Sequence, residues 1–131
     1  MKKDRLLNPE IVKEVAALGH TEFFVIADCG LPIPKGVKVI DVSVVHGIPS
    51  FTDVLKAVSA ELVIESAVIA SEIEDCNQTV LKEIMDVMGE KPVKKVPHEE
   101  LKVLCRDAKC IVRTGEASSY ANIVLVGGVN F

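Results

Sequence analysis

Several signatures of common functional classes are absent from this chain of 131 residues. It has no basic tract and no Lys/Arg patch interleaved with aromatics, and its formal net charge is −4, so we expect no binding to nucleic acid. No apolar run approaches the roughly 20 residues that a membrane-spanning helix needs. The amino terminus is charged and has no apolar signal-peptide segment behind it. We therefore expect a cytoplasmic protein that does not insert into a membrane.

Motifs for metals, nucleotides and covalent catalysis are missing as well. The cysteines form no Cys-x-x-Cys pair, and neither His-x-x-x-His nor an Asp-rich loop occurs. Glycine-rich phosphate loops and Gly-x-Ser-x-Gly are also absent. We expect no metal and no other cofactor. What remains for chemistry is a set of His, Asp, Tyr and Asn side chains.

The chain does contain a regular alternation of apolar strands and capped helices. Asn8, Ser50 and Asn77 are placed to cap helices, and a further helix is predicted from Glu99. This alternation predicts an α/β fold, with a mainly parallel sheet flanked by helices and a single domain over residues 1–131. The predicted strands are Phe23–Ala27, Val37–Val42, Val63–Ala70, Val93–Val96, Lys109–Arg113 and Ile123–Val126.

Four candidate site residues lie beside strand ends, where ligands bind in such sheets. Asp28 directly follows the first strand and is either a turn-forming residue or a ligand group. His98 follows the fourth strand, in a loop, and is either a site residue or an exposed helix start. Tyr120, the only tyrosine, and Asn122 lead into the last strand. They suit recognition of hydroxyls and of the apolar face of a sugar, or they simply start the strand.

The two other histidines are weighed separately. His20 follows a helix-ending glycine and precedes the first strand. It either complements the helix dipole or acts as a general acid or base, because His titrates near neutral pH. His46 has no carboxylate neighbour in its loop, and we assign it a structural role.

Four blocks of the chain closely resemble the D-ribose pyranase family. They are Leu18–Thr21, Val25–Pro34, Gly47–Phe51 and Arg113–Asn122, and their order and spacing match over essentially the whole chain. The related L-fucose mutarotases usually carry an Asn-Phe-Pro-like segment where this sequence has Cys29–Pro32. The ribose branch is therefore the better match.

This resemblance implies an isomerase that interconverts the pyranose and furanose forms of D-ribose in support of ribose uptake and catabolism. It places the proton donor on His20 and sugar-binding positions on Asp28, His98 and Tyr120–Asn122, that is, Tyr120, Ala121 and Asn122. It also implies a homo-oligomer, with rings that stack into decamers and pockets near subunit boundaries. Ser119 stands where many relatives have proline, which puts the rigidity of that loop in doubt. Lys102 lies in a family-like segment without a clear role.

Two alternatives remain open on the sequence. An L-fucose-type mutarotase would exchange α and β anomers at a similar site. A non-catalytic ribose-binding accessory of a transport system would use Asp28, Tyr120 and Asn122 but would not need His20. The apolar carboxyl-terminal segment ending in Phe131 is expected to dock on a neighbouring subunit, with packing on its own core as the alternative.

Overall fold

The computed structural model describes residues 1–131 and contains one six-stranded sheet in the order β2-β5-β1-β6-β3-β4. β5 pairs in parallel with β1 and β2, and β3 pairs in parallel with β4. β6 lies antiparallel between β1 and β3. The strands are β1 (Phe23–Ala27), β2 (Val39–Asp41), β3 (Ile64–Ala70), β4 (Val93–Val96), β5 (Ala108–Arg113) and β6 (Ile123–Gly127).

The prediction of a mainly parallel sheet is confirmed, with β6 as the exception. A parallel return needs a crossover of about a dozen residues or more, usually including a helix. Residues 114–122 between β5 and β6 contain no helix. The chain therefore turns at the same edge of the sheet, and β6 runs back antiparallel.

Five α-helices flank the sheet: α1 (Pro9–Ala17), α2 (Phe51–Ser59), α3 (Ile73–Cys76), α4 (Gln78–Met88) and α5 (His98–Leu104). The predicted caps are confirmed, since the side chains of Asn8, Ser50 and Asn77 accept backbone N–H groups at the starts of α1, α2 and α4. A 3-10 turn, Cys105–Asp107, follows α5. None of the helices is both long enough and apolar enough to cross a membrane.

Three local predictions were inexact. α3 was not predicted, because one helical turn is too short to show a hydrophobic period. His98 is the first residue of α5 rather than a loop residue. β2 starts at Val39 instead of Val37, because the Val37 amide is used in a turn to Pro34 O, at 3.2 Å.

The apolar run of β1 is explained by burial on both faces of the sheet. Phe24 and Ile26 belong to the larger core cluster, which packs the sheet against α1, α2 and α4. Val25 and Ala27 point to the opposite face and pack with Leu101 of α5. Successive side chains of a strand alternate between faces, so a strand covered on both sides must be apolar throughout.

The two ends of the sheet carry different residues. We call the end where the parallel strands finish the carboxyl edge, and the end where they begin the amino edge. At the carboxyl edge, the ends of β1, β3, β4 and β5 meet the start of β6, and residues 28–32, 71–72, 97–98 and 114–122 gather there. At the amino edge, the residues before β1 meet the end of β6, where the Thr21 amide donates to Gly127 O at 2.8 Å. The candidate residues divide between these two edges.

Candidate active site

A small cleft opens at the carboxyl edge. Its volume is about 300 Å³. It is formed by the loop after β1, the start of α5 and the turn before β6. Its lining residues are Asp28, Gly30, Leu31, Pro32, His98, Ser119 and Tyr120. Three of the sequence-predicted residues, Asp28, His98 and Tyr120, are therefore brought together by the fold.

Asp28 combines the two roles that the sequence left open. Its Oδ1 accepts the Gly30 amide at 2.9 Å, which forms the local turn, while the residue also lines the cleft. Oδ2 accepts Nδ2 of Asn122 at 2.9 Å, and the Asp28 amide donates to Oδ1 of Asn122 at 2.9 Å. A carboxylate oxygen accepts more than one hydrogen bond, so the turn leaves capacity for a ligand hydroxyl.

Asn122 stands behind Asp28 rather than in the cleft. Its side chain is fully buried, and both ends of its amide are used by Asp28. The pairing fixes the Asp28 carboxylate, because a buried amide without partners would cost about 1–3 kcal/mol. Ala121 is also fully buried in the larger core. Within one chain, Ala121 therefore offers no exposed surface to a ligand.

His98 and Tyr120 form one wall of the cleft. Their rings meet edge to face, with centroids 5.2 Å apart and an interplanar angle of 78°. Such T-shaped contacts are favoured by the quadrupole of aromatic rings. Nδ1 of His98 is buried without a hydrogen-bond partner, so Nε2 is the nitrogen left to meet a ligand.

The turn before β6 is hydrogen-bonded to the starts of α2 and α4. Tyr120, in this turn, has a left-handed backbone conformation with φ 57°. Glu116 accepts the Phe51 amide with one oxygen, at 3.1 Å, and the Ser118 hydroxyl with the other, at 2.8 Å. Asn77 donates to the Ser118 hydroxyl at 2.9 Å and to Ser119 O at 2.8 Å. These bonds supply the rigidity that the absent proline at position 119 put in doubt.

The sequence analysis missed Glu116 and this second role of Asn77. Asn77 was recognised only as a helix cap, which it also is. Both residues act on a segment far away in the chain, and no local spacing reports such a contact. Lys102 lies apart, pairing with Glu99 at 2.6 Å in a neighbouring cavity of about 260 Å³ that shares Pro32 with the cleft.

His20 lies at the amino edge, away from the cleft. Nε2 is 3.3 Å from the Glu65 carboxylate at the start of β3, and the two side chains are 50% and 51% exposed. β1 separates His20 from Asp28, and its five residues span roughly 16 Å at about 3.3 Å each. One chain therefore does not bring its predicted acid and its predicted sugar-binding groups together.

His46 lies closer to the cleft than its sequence context indicated. It borders a second groove of about 280 Å³ that includes Asp28, Glu116 and Ser118. The loop of His46, residues 44–48, packs against Gly115. The Gly115 amide donates to Pro49 O, and the Gly115 carbonyl accepts the Gly47 amide. A side chain at position 115 would collide with the backbone carbonyls of Val45 and Ile48. This loop exposes three apolar residues: Val44 is 74% exposed, Val45 59% and Ile48 57%.

Thiol and metal chemistry have little basis in the structure. All four cysteines are free. Burial raises the pKa of Cys105 to about 11 and that of Cys110 to about 12, so both remain neutral thiols at neutral pH. No group of three or more His, Cys, Asp or Glu side chains is arranged to hold a metal ion. The candidate chemistry is acid–base catalysis and hydrogen bonding.

A carboxylate, an imidazole and a phenol on one small cleft of an α/β sheet define a protein that binds a small polyhydroxylated molecule. The chain belongs to the RbsD / FucU transport protein family, which it matches over residues 1–130. It is 51% identical over 131 residues to the D-ribose pyranase of Geobacillus kaustophilus strain HTA426, covering 100% of this chain and 96% of that protein.

Solved structures share the fold. The structure of Bacillus subtilis RbsD complexed with D-ribose is 43% identical, with a TM-score of 0.97 and 100% of each chain covered. The fucose mutarotase of Streptococcus pneumoniae, solved in complex with L-fucose, is 21% identical with a TM-score of 0.84, also over 100% of each chain. The second likeness establishes the common fold alone. The resemblance seen in the sequence is therefore confirmed, with the higher identity on the ribose side.

Proposed function

We propose that this protein is a D-ribose pyranase, an isomerase that interconverts the β-pyranose and β-furanose forms of D-ribose without a cofactor. The observation that carries the proposal is the cleft of Asp28, His98 and Tyr120 in a chain with the fold of a ribose-bound relative at 43% identity. The 51% identity to a D-ribose pyranase over the whole chain supports the reaction. Residues 1–131 act as one domain, because all six strands belong to one sheet.

The reaction needs only proton transfers. Ring opening takes the anomeric proton away, delivers a proton to the ring oxygen and gives the open-chain aldehyde. Closure by a different hydroxyl reverses these transfers and forms the other ring. A positioned general acid or base contributes about 10²–10⁴-fold to such steps. His20 is the proposed proton donor, since histidine is the side chain best suited to give and take protons near neutral pH.

The sugar-binding roles follow from the contacts of each residue. Asp28 accepts hydrogen bonds from sugar hydroxyls, while Asn122 holds its carboxylate in place. His98 offers Nε2 to a further hydroxyl, and Tyr120 offers its ring face and hydroxyl. Ala121 is a further proposed sugar-binding position, between Tyr120 and Asn122, although it is fully buried within one chain. In this scheme binding and proton donation are separate tasks of separate residues.

Separation of His20 from the cleft makes assembly part of the proposal. We infer that copies of this chain form a homo-oligomer in which His20 of one copy approaches the cleft of another, in rings that stack as a decamer. Half exposure of the His20 side chain leaves it accessible to a neighbour. Exposed apolar residues suited to burial include Val44, Val45 and Phe131, the last with its side chain wholly in solvent. Phe131 thus does not pack on its own core.

We place the enzyme in the cytoplasm, beside ribose uptake and phosphorylation. Such a position fits a reaction that supplies one ring form of the sugar to a downstream consumer. A non-catalytic accessory of a transport system is the second candidate, since the family description names transport; the 51% identity to a D-ribose pyranase favours the enzyme. Nucleic acid is an unsuitable partner for a chain of net charge −4 without a basic patch.

Saturation-transfer NMR on equilibrated D-ribose tests the function. Catalytic amounts of the protein are expected to speed exchange between pyranose and furanose signals. A parallel sample of L-fucose tests the alternative. Faster exchange between the α and β anomers of L-fucose, without faster exchange in D-ribose, would favour the fucose-type mutarotase instead. Line broadening that requires stoichiometric protein would favour a binding module. A His20→Ala protein measured beside the wild type separates catalysed exchange from binding.

A further inference from the structure

α5 begins without a capping residue of its own. His98 is its first residue and Pro97 precedes it, and proline carries no side-chain acceptor for the free amides of a helix start. Glu72, in the turn after β3, fills that place. Both of its carboxylate oxygens lie 3.0 Å from the His98 amide nitrogen. The helix start is therefore capped by a residue far away in the sequence.

Glu72 is itself held and ionised in this position. The Ser71 hydroxyl donates to its Oε1 at 3.0 Å, and the Ser71 amide donates to Val96 O at 2.7 Å, which ties the turn to the end of β4. Burial works to raise the pKa of Glu72, but hydrogen bonds from the His98 amide, its own amide and Ser71 outweigh it, so the pKa lies below its ordinary value. A negative charge at a helix start is favourable.

No hydrogen bond holds the His98 side chain. Nδ1 of its ring is buried without a partner, and the ring is held in place by its edge-to-face contact with Tyr120. The orientation of Nε2 in the cleft thus depends on where the backbone of His98 is fixed. Glu72 is the side chain that fixes it.

We propose that Glu72 is a positioning residue for sugar binding: by accepting the His98 amide it sets the place of the imidazole, and through the ring contact that of Tyr120. This inference rests on the proposed role of His98 in the D-ribose site. Glu72 does not line the cleft. It acts entirely through His98.

The test compares Glu72→Ala, Glu72→Gln and a matched control, Glu74→Ala. Glu74 lies two residues further on, in α3, and pairs with Lys95 at 2.5 Å. We expect Glu72→Ala to raise the Kd and KM for D-ribose roughly tenfold, about the effect of losing the hydrogen bond between the displaced His98 ring and a sugar hydroxyl, with a smaller change in kcat. Glu72→Gln keeps an acceptor oxygen and is expected to recover most of the loss. Glu74→Ala should match the wild type.

A double-mutant cycle with His98→Ala decides whether Glu72 acts through His98. In that background Glu72→Ala is expected to cause little further loss of ribose affinity, because coupled residues are not additive. A full, independent loss would overturn the proposal. Equal affinity of wild type and Glu72→Ala would overturn it as well.

The His98 ring signals in NMR spectra of the sugar-free protein give a readout that needs no ribose. They are assigned by their disappearance in His98→Ala. Glu72→Ala is expected to shift them and Glu72→Gln to restore them, whereas unchanged signals would contradict the proposal. If Glu72→Ala fails to fold, Glu72→Asp takes its place in the same measurements and in the cycle, because its shorter side chain draws the carboxylate back from the His98 amide; wild-type affinity and unchanged His98 signals in Glu72→Asp would then overturn the proposal. If Glu72→Ala shifts the His98 signals but the wild-type protein does not catalyse ribose exchange, the proposed function is wrong while the positioning of His98 by Glu72 stands.

Discussion

The two edges of the sheet are built in different ways. At the carboxyl edge, Asp28 is locked by Asn122 and Gly30, and Tyr120 lies on a turn held by Asn77 and Glu116. At the amino edge, the polar partner of the His20 side chain is the Glu65 carboxylate, 3.3 Å away, and both side chains are half exposed. Exposed ion pairs contribute little and orient weakly. One chain thus pre-organises the proposed binding groups but does not hold the proposed acid beside them.

The largest expected effect follows from changing the amino edge. His20→Ala should lower the rate of catalysed pyranose–furanose exchange by about 10²-fold or more, since the general acid is lost. D-ribose affinity should change far less, because the cleft is intact. Saturation-transfer NMR measures the rate and calorimetric titration measures the affinity. Exchange at the wild-type rate in a folded His20→Ala protein would remove His20 from the mechanism.

A second experiment tests whether His20 and Asp28 of one active site come from different copies of the chain. Co-expression of His20→Ala with Asp28→Asn chains gives mixed oligomers, in which some sites receive both native groups from different copies. Those mixtures should regain part of the exchange activity that either variant lacks alone. No regained activity would show that both residues serve within a single chain.

Asp28→Asn, at the carboxyl edge, should weaken D-ribose binding by about 1.5–3 kcal/mol, the loss of a charge-assisted hydrogen bond. The new amide also opposes Nδ2 of Asn122, so two donors face each other. Calorimetric titration reads the affinity. The exchanged pair Asp28→Asn with Asn122→Asp restores a donor–acceptor match and serves as the control. Recovery of affinity in the exchanged pair would mean that geometry, and not the charge on the cleft, is what binds the sugar.

A moderate effect is expected at the exposed carboxyl-terminal side chain. Phe131→Asp places a charge where burial against a neighbour is proposed, so it should lower the oligomeric mass in light scattering and reduce exchange several-fold. Met85→Asp on α4, at an apolar side chain that is 41% exposed, is the matched control. An assembled and fully active Phe131→Asp protein would leave Phe131 without a part in assembly.

Acid stability compares one carboxylate from each edge. The Ser43 hydroxyl and amide and Arg113 hold the pKa of Asp41 below its usual 3.8, and the Gly19 amide and Lys109 hold that of Glu22 below 4.5. A lowered folded-state pKa contributes stability that is complete above the unfolded value and is lost as pH falls through the folded one. Asp41→Asn and Glu22→Gln should therefore flatten the fall in melting temperature below about pH 4.5. Identical acid profiles for wild type and both variants would refute this.

The last prediction is that removal of metal ions does not change the exchange rate. Dialysis against a strong chelator should leave exchange unchanged, because no side-chain cluster is arranged to bind a metal. Activity lost on chelation and restored by a divalent ion would require a different mechanism for both edges.

Local patterns predicted most of the fold. Helix caps at Asn8, Ser50 and Asn77 depend on bonds within three residues, and the apolar run of β1 reports burial on both faces. Such signals are complete in a short window of sequence. The antiparallel direction of β6 was not visible, because it depends on the path of the connection before it.

The candidate site was predictable in its members and not in its arrangement. Asp28 and Tyr120 beside strand ends pointed to one edge of the sheet, and the cleft contains them. Asn122 was expected to meet the ligand, yet it is buried behind Asp28. Glu72 and Glu116 gave no signal, since their partners, His98 and Phe51, are distant in the chain.

The sequence by itself determined the alternation of strands and helices, the apolar strand β1 and the family, because each is written in neighbouring residues or in blocks of fixed order. Only the tertiary structure decided that Asp28, His98 and Tyr120 share a cleft while His20 lies at the far edge of the sheet. It also decided that Glu72 and Glu116 brace that cleft. The physical reason is that strand direction and contacts between distant segments are set by packing of the whole sheet, which no local window contains.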